Sequence, residues 1–207
     1  AEAVLALGGE EIASFVSMAV IVPTLIGAAI AVQLCKKYDK FKIFYFSYMF
    51  ALILGIVRYI AGYENMMVYV ILNALGGFPL GIAAILQYQF TPDCYEYGQY
   101  KTGLKMRGVT FAAQTFFTKL NGAVATAVSV FALTLIGFKE GEGVIQAAGF
   151  ADKLWTFSCL GSIIGGICTL LILHLYKLND HDVQLMSKCN NGEITREEAE
   201  AQMINRY

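Results

Sequence analysis

Lys119 stands eleven positions into the apolar run Gly108–Phe138, and its helical neighbours form a pattern with chemical content. Thr115 and Ala123 lie four residues to either side, Gly122 three residues on and Phe111 eight before, so a helix would stack them on one stripe. Gln114 and Asn121 border it. At 1.5 Å per residue the lysine would sit about 16 Å from the start of the run, near mid-bilayer, where a cation costs at least ~2.5–3.5 kcal/mol. Its stem can snorkel only a few ångströms. A lysine beside amides, a hydroxyl and small residues fits the wall of a wet polar cavity. The competing reading is a structural lysine paired with a carboxylate on a neighbouring helix. The apolar runs contain no Asp or Glu, so that carboxylate is expected from a portion of the polypeptide outside this sequence. Binding is the chemistry on offer. No His, Asp or Ser constellation at membrane depth supports an enzyme, no residue is assigned as catalytic, and His174 and His181 are too isolated to hold a metal.

Positioning such a stripe requires membrane-spanning helices, and the composition supplies them. Hydrophobic residues make up 57% of the 207 and charged ones only 15%, against about 25% charge in ordinary soluble domains. Five apolar runs, 12–34, 43–63, 66–90, 108–138 and 154–176, contain only Arg58 and Lys119 among the charged side chains. Each is long enough to cross about 30 Å of hydrocarbon as a helix. Period-2 alternation is missing, which argues against a transmembrane barrel. A soluble enzyme, a nucleic-acid module and a disordered tail are excluded. The fold class expected is an all-α integral membrane bundle of five spans.

Lys and Arg in the connections give the orientation. Segments 35–42, 91–107 and 177–207 hold four, three and four basic residues, whereas 1–11, 64–65 and 139–153 hold none, none and two. The positive-inside rule then places the tail 177–207 in the cytoplasm and the segment 1–11 outside, in a multi-pass protein of the cell membrane. An odd number of spans and a chain opening with Ala1 lead us to expect a part of a longer polypeptide, with 1–11 a remnant after an earlier helix.

Other features have blander readings. Arg58 lies close enough to the outer boundary at Tyr63 to snorkel, and Trp155, Tyr63 and Tyr176 fit interfacial anchoring. Pro23 and the run Gly76-Gly77-Phe78-Pro79-Leu80-Gly81 predict a kink or break at membrane depth, with close helix packing as the other reading of the glycines. Gly161 and Gly165 form a G-x-x-x-G assigned to packing. The segment 91–107, with Pro92, Gly98 and Gly103, predicts short helical pieces joined by turns: a solvated loop, or a gating element between two helices. In the tail, Asp180 is expected to cap a short helix ending near Asn190-Asn191-Gly192, and Thr195-x-x-Glu198 reads as a capping box.

Asp93-x-x-Glu96-Tyr97-Gly98-Gln99-Tyr100-Lys101-Thr102-Gly103, then Arg107-Gly108 and Gln114-Thr115-x-x-x-Lys119, resembles the glycoside–pentoside–hexuronide:cation symporters. These are the melibiose-permease-like branch of the major facilitator superfamily. Their usual form is D-x-x-D-Y-G-E-[WY]-K-T-G-x-R-x-E-G with a lysine in the following span. Here Glu96 stands for the second Asp and Gln99 for the Glu, and Met106 and Arg107 occupy the R-x-E register. The resemblance implies spans eight to twelve of a twelve-span fold, the C-terminal half of a transporter.

That resemblance carries roles with it. Lys119, Gln114 and Thr115 match substrate-binding positions, with Lys119 also implicated at the coupling-ion site. The family's aromatic platform falls near Ala84 here, so Phe78, Tyr88 or Phe111 would have to serve, with Asn121 in the cavity lining. Asp93, Glu96, Tyr97, Lys101 and Arg107 would form the inner gating loop. The implied activity is transport of a sugar or glycoside coupled to a cation, H+ or Na+, by alternating access. No cofactor is expected beyond that cation, bound mainly by the N-terminal half of the same transporter. Lipid bilayer, a small sugar and that N-terminal half are the expected partners, and nucleic acid is not. The reading from another class is a non-transporting membrane subunit or sensor that uses the helices only for packing.

Overall fold

The computed structural model describes residues 10–139 and 149–205, with side chains from residue 14 onward. Most of the expected external segment 1–11, and residues 140–148 of the connection 139–153, lie outside the described residues. Among the described residues seven helices follow in order: α1 (Glu10–Leu34), α2 (Lys40–Ala61), α3 (Met66–Thr102), α4 (Arg107–Leu135), α5 (Phe150–His174), α6 (Asp180–Asn190) and α7 (Arg196–Gln202). The first five are long and apolar enough to cross a membrane. The chain is an all-α, multi-pass membrane protein.

Short polar residues set the helix starts, as capping requires. The Asp39 carboxylate accepts the Phe41 N–H at 2.9 Å to open α2. The Asn65 side chain accepts the N–H groups of Met67 and Val68 at 3.1 and 3.2 Å to open α3. Gly103, at φ 71°, closes α3 and returns its N–H to the Gln99 carbonyl, a backbone shape suited to glycine.

Glycines bring α1 and α3 together. A Cβ on Gly81 would lie 1.9 Å from the Thr24 carbonyl oxygen, one on Gly77 2.7 Å from that of Val20, and one on Gly27 2.3 Å from that of Phe78. No side chain other than hydrogen fits between these backbones. Lipid tails are as apolar as leucine, so close van der Waals packing of this kind holds membrane helices together. Correspondingly, α3 runs through Pro79 and Pro92 without the expected break. The glycine cluster is a packing surface. The Pro79 carbonyl accepts the buried Ser47 hydroxyl at 3.3 Å, tying α2 to the same place.

The α2–α5 contact differs from the expected G-x-x-x-G. Gly161 and Gly165 face open space among the described residues, while a Cβ on Gly166 would meet Leu52 at 3.2 Å and one on Gly55 would meet Ile163 at 3.7 Å. Sequence spacing does not say which face of α5 meets a neighbour.

Aromatic clusters close both ends. At one, Trp155 and Tyr69 are buried with Val16 and Cys159. The Arg58 guanidinium lies 4.9 Å from the Trp155 ring and 5.9 Å from that of Tyr69, and the Tyr63 hydroxyl donates to Asp152. Arg58 therefore stacks on aromatic faces at the same end as Tyr63, and Trp155 belongs to the core there. At the other end Tyr176 stacks on Phe41 at 5.3 Å and meets Phe90 edge-on at 5.4 Å.

The tail folds back onto this second end. Asn179, not Asp180, caps α6 by accepting the Asp182 N–H at 2.9 Å. The Thr195–Glu198 capping box forms as expected. Asp182 is fully buried and accepts the N–H groups of Ile204 at 2.8 Å and Asn205 at 3.0 Å, and the Asn179 amide at 2.7 Å. Burial opposes its charge, but these donors outweigh that cost and hold the carboxyl below its usual range.

Candidate functional site

Among the spans, α4 stands apart. It leaves α3 through a short turn and then runs with nearly all of its surface open; Ala132 is its one buried residue among those described. Near the turn, Arg107 lies 5.9 Å from the Tyr95 ring of α3 and 6.0 Å from the Phe111 ring of α4, bridging the two helices by cation–π contacts. Beyond that point the helix presents its stripe freely.

Lys119, Thr115 and Asn121 are exposed, and Gln114 and Phe111 are half-buried. Neither a hydrogen bond nor an ion pair engages Lys119 among the described residues. The hydroxyls of this helix turn inward: Thr115 donates to the Phe111 carbonyl at 3.0 Å and Thr118 to that of Gln114 at 2.9 Å. Thr110, Thr126, Ser129 and Thr134 repeat that step four residues back. Each donor is thereby satisfied at membrane depth, while hydroxyl lone pairs stay available to an incoming donor. The stripe thus offers a cation, an amide and hydroxyl acceptors on one side of one helix. Polyhydroxylated or anionic small molecules suit that set.

The other expected cavity residues are not brought to this stripe. Phe78 lines an apolar groove among α1, α2 and α3, and Tyr88 is exposed on α3. Of the platforms considered, Phe111 alone shares a helix with Lys119, where it lies under Arg107.

The expected gating loop 91–107 is mostly helix. α3 continues to Thr102, leaving 103–106 as the turn, because its last turns are packed against α2 and the tail. Lys40 Nζ lies 2.9 Å from both Asp93 oxygens and 3.2 Å from Asp180, linking α2, α3 and α6 at one point. Asp93 is buried there. Further along, the Asn190 amide donates to the Glu96 carboxylate at 2.8 Å and its carbonyl at 3.0 Å. The Tyr100 hydroxyl donates to Glu200 at 3.0 Å, with Arg196 over its ring at 4.8 Å. Tyr97 is half-buried, and Lys101 and Arg107 are exposed. Asp93 is thus held by Lys40 of α2, and Glu96 by Asn190 of the tail. Sequence reasoning missed Lys40 as the bridge between Asp93 and Asp180, because it sits 53 residues from the first and 140 from the second. The one available signal was charge left in segments of the same topological side.

The described chain is a bundle of helices long and apolar enough to cross a membrane, with one polar, cation-bearing helix left open along its length. The comparisons agree. Residues 4–180 match the model of the MFS/sugar transport protein family, and the chain belongs to that family. It is 25% identical over 185 residues to a protein of Escherichia coli (strain K12) named "Putative sulfoquinovose importer", covering 86% of this chain and 38% of that protein. To "Putative glycoside/cation symporter YagG" of the same strain it is 21% identical over 165 residues, 80% of this chain and 36% of the relative. To "Putative 2,3-dihydroxypropane-1-sulfonate exporter" of Salmonella typhimurium it is 26% identical over 113 residues, 54% and 24% of the two chains. The chain spans little more than a third of the length of the relatives it matches most fully. No solved structure matches it.

Proposed function

We propose that this chain forms part of a secondary active transporter that moves a sugar or glycoside together with H+ or Na+ by alternating access. The observation that carries the reading is the exposure of Lys119, Thr115 and Gln114 on a helix that the rest of the described chain leaves uncovered. A cation at mid-membrane is stable when it faces water, substrate or a second bundle rather than lipid. In the proposal that second bundle is the N-terminal half of the same polypeptide, and the substrate sits between the two at the bilayer midplane. Gln114 and Thr115 bind sugar hydroxyls, and Lys119 couples substrate and ion electrostatically. The carboxylates that coordinate the cation belong to the N-terminal half, in keeping with spans here that carry no acid at membrane depth. Asp93, Glu96, Tyr97, Lys101 and Arg107 belong to the inner gate, with the C-terminus cytoplasmic.

Two of the relatives named above carry sulfonated compounds in their names. A sulfonate or carboxylate on the sugar would give Lys119 a direct charge partner, so an anionic sugar is a substrate class to include in any screen. Uptake and counterflow of labelled neutral and sulfonated glycosides, in vesicles bearing the full-length protein, test the reading. Lys119→Ala and Gln114→Ala should abolish concentrative uptake while leaving membrane insertion intact. Unchanged uptake would overturn it.

A further inference from the structure

Along α1, α2 and α3 runs an open groove of about 680 Å³, separate from the α4 stripe. Its walls come from Ile30 and Leu34 of α1, Phe46 and Phe50 of α2, and Phe78 and Ile82 of α3. Polar atoms are distributed unevenly in it. Ser47 lies in its floor, and its hydroxyl is already given to the Pro79 carbonyl. The other polar lining residues, Tyr38 and Lys42, both stand at the end where α2 begins. From Lys42 to Phe50 the groove follows eight residues of helix, about 12 Å. It is greasy along its length and cationic at its mouth.

The charge at that mouth is unbalanced. The connection from α1 to α2 and the first turn of α2 contain Lys36, Lys37, Lys40 and Lys42 with a single acid, Asp39. Lys40 is neutralised by Asp93 and Asp180, and the Asp39 carboxylate is committed to the N–H groups of Phe41 and Asp180. Lys36, Lys37 and Lys42 remain exposed, with no ion pair among the described residues. An apolar trough ending at the uncompensated Lys42, with Lys36 and Lys37 in the adjoining connection, matches an amphiphile with an anionic head.

We propose that this groove is a binding site for an anionic phospholipid. One acyl chain lies along Phe46, Phe50, Phe78 and Ile82, and the phosphate is held by Lys42 with the Tyr38 hydroxyl, supported by Lys36 and Lys37. Basic clusters at the end of membrane helices are suited to such headgroups, each lysine near the surface strengthening binding about fivefold. The lipid bridges three helices, so its presence fixes α1 and α2 against α3 on the side opposite the tail contacts of α2. Neither the transport reading nor the identity of the sugar enters into it.

Native mass spectrometry of the detergent-purified full-length protein, titrated with phosphatidylglycerol and with phosphatidylethanolamine of the same acyl chains, tests the site. Phosphatidylglycerol should be retained about fivefold or more over phosphatidylethanolamine. Lys42→Glu should remove that preference and Lys42→Arg should keep it. Ile82→Trp, which fills the trough, should weaken both lipids. Lys105→Glu, at the distant α3–α4 turn, should change neither. Equal retention of the two lipids, or a preference untouched by Lys42→Glu, would overturn the proposal. So would a Phe46→Cys variant that cross-links efficiently to a helix elsewhere in the polypeptide, since the groove would then be filled by protein.

Discussion

Asp39 and Asp180 cap each other's helices. The Asp39 carboxylate accepts the Asp180 N–H at 2.8 Å, and the Asp180 carboxylate accepts the Lys40 N–H at 2.8 Å. Two helix N-termini, from a membrane span and from the tail, are thus satisfied by reciprocal exchange, and Lys40 Nζ neutralises the carboxylates around them. Asp180→Ala removes one cap and one ion partner together, at a cost of about 1–2 kcal/mol. Asp93→Ala should cost more, because Asp93 is buried and leaves the Lys40 charge in a less solvated place. Limited proteolysis of the tail in the full-length protein would report both, with Asp93→Ala cleaved faster than Asp180→Ala and both faster than the parent.

Gly81→Ala should drive α1 and α3 apart. The added methyl would need the space of the Thr24 carbonyl oxygen, 1.9 Å away, and backbone cannot yield as a side chain does. Overpacking of this sort costs about 1–3 kcal/mol or more. Gly76→Ala, with nothing within 4 Å of its Cβ, is the matched control. Thermal unfolding in detergent should show a lowered midpoint for Gly81→Ala and none for Gly76→Ala.

Asp182 makes the tail sensitive to acid. Its folded-state carboxyl is held below its ordinary value of 3.8, so its contribution is fully present above that pH and fades as the pH falls through the lower, folded value. Amide exchange at Ile204 and Asn205 should show protection factors that are steady from neutral pH down to about 4 and decline below it. Asp182→Asn should lower protection across the whole range and flatten its pH dependence.

The five spans were legible because mid-membrane helices must be long and nearly free of charge, and only Arg58 and Lys119 break that pattern. The end of α3 was not. Pro92 and two glycines in 91–107 look like turns locally, yet the segment stays helical to Thr102 because Asp93 is buried against Lys40 of α2 and Tyr100 against Glu200 and Arg196 of the tail. Tertiary contacts outweighed local propensity there. Glycine spacing pointed to packing in both α3 and α5, but only neighbours decide the face: Gly77 and Gly81 meet α1, whereas Gly161 and Gly165 meet nothing described. The Lys119 stripe was readable from helical period alone. The Lys40–Asp93–Asp180 junction was not, since no spacing rule joins residues on three different helices.

The central claim is that the α4 stripe faces substrate, and cysteine protection tests it most directly. In full-length protein lacking the exposed Cys94 and Cys168, Thr115→Cys should react with a water-soluble maleimide. Saturating sugar or glycoside should slow that reaction about tenfold, as expected when a bound ligand covers the site with ~1.4 kcal/mol of protection. Leu171→Cys, on the exposed surface of α5, should be indifferent to the sugar. A Thr115→Cys that is inaccessible from water, or labelled at the same rate with every transported sugar present, would contradict the account.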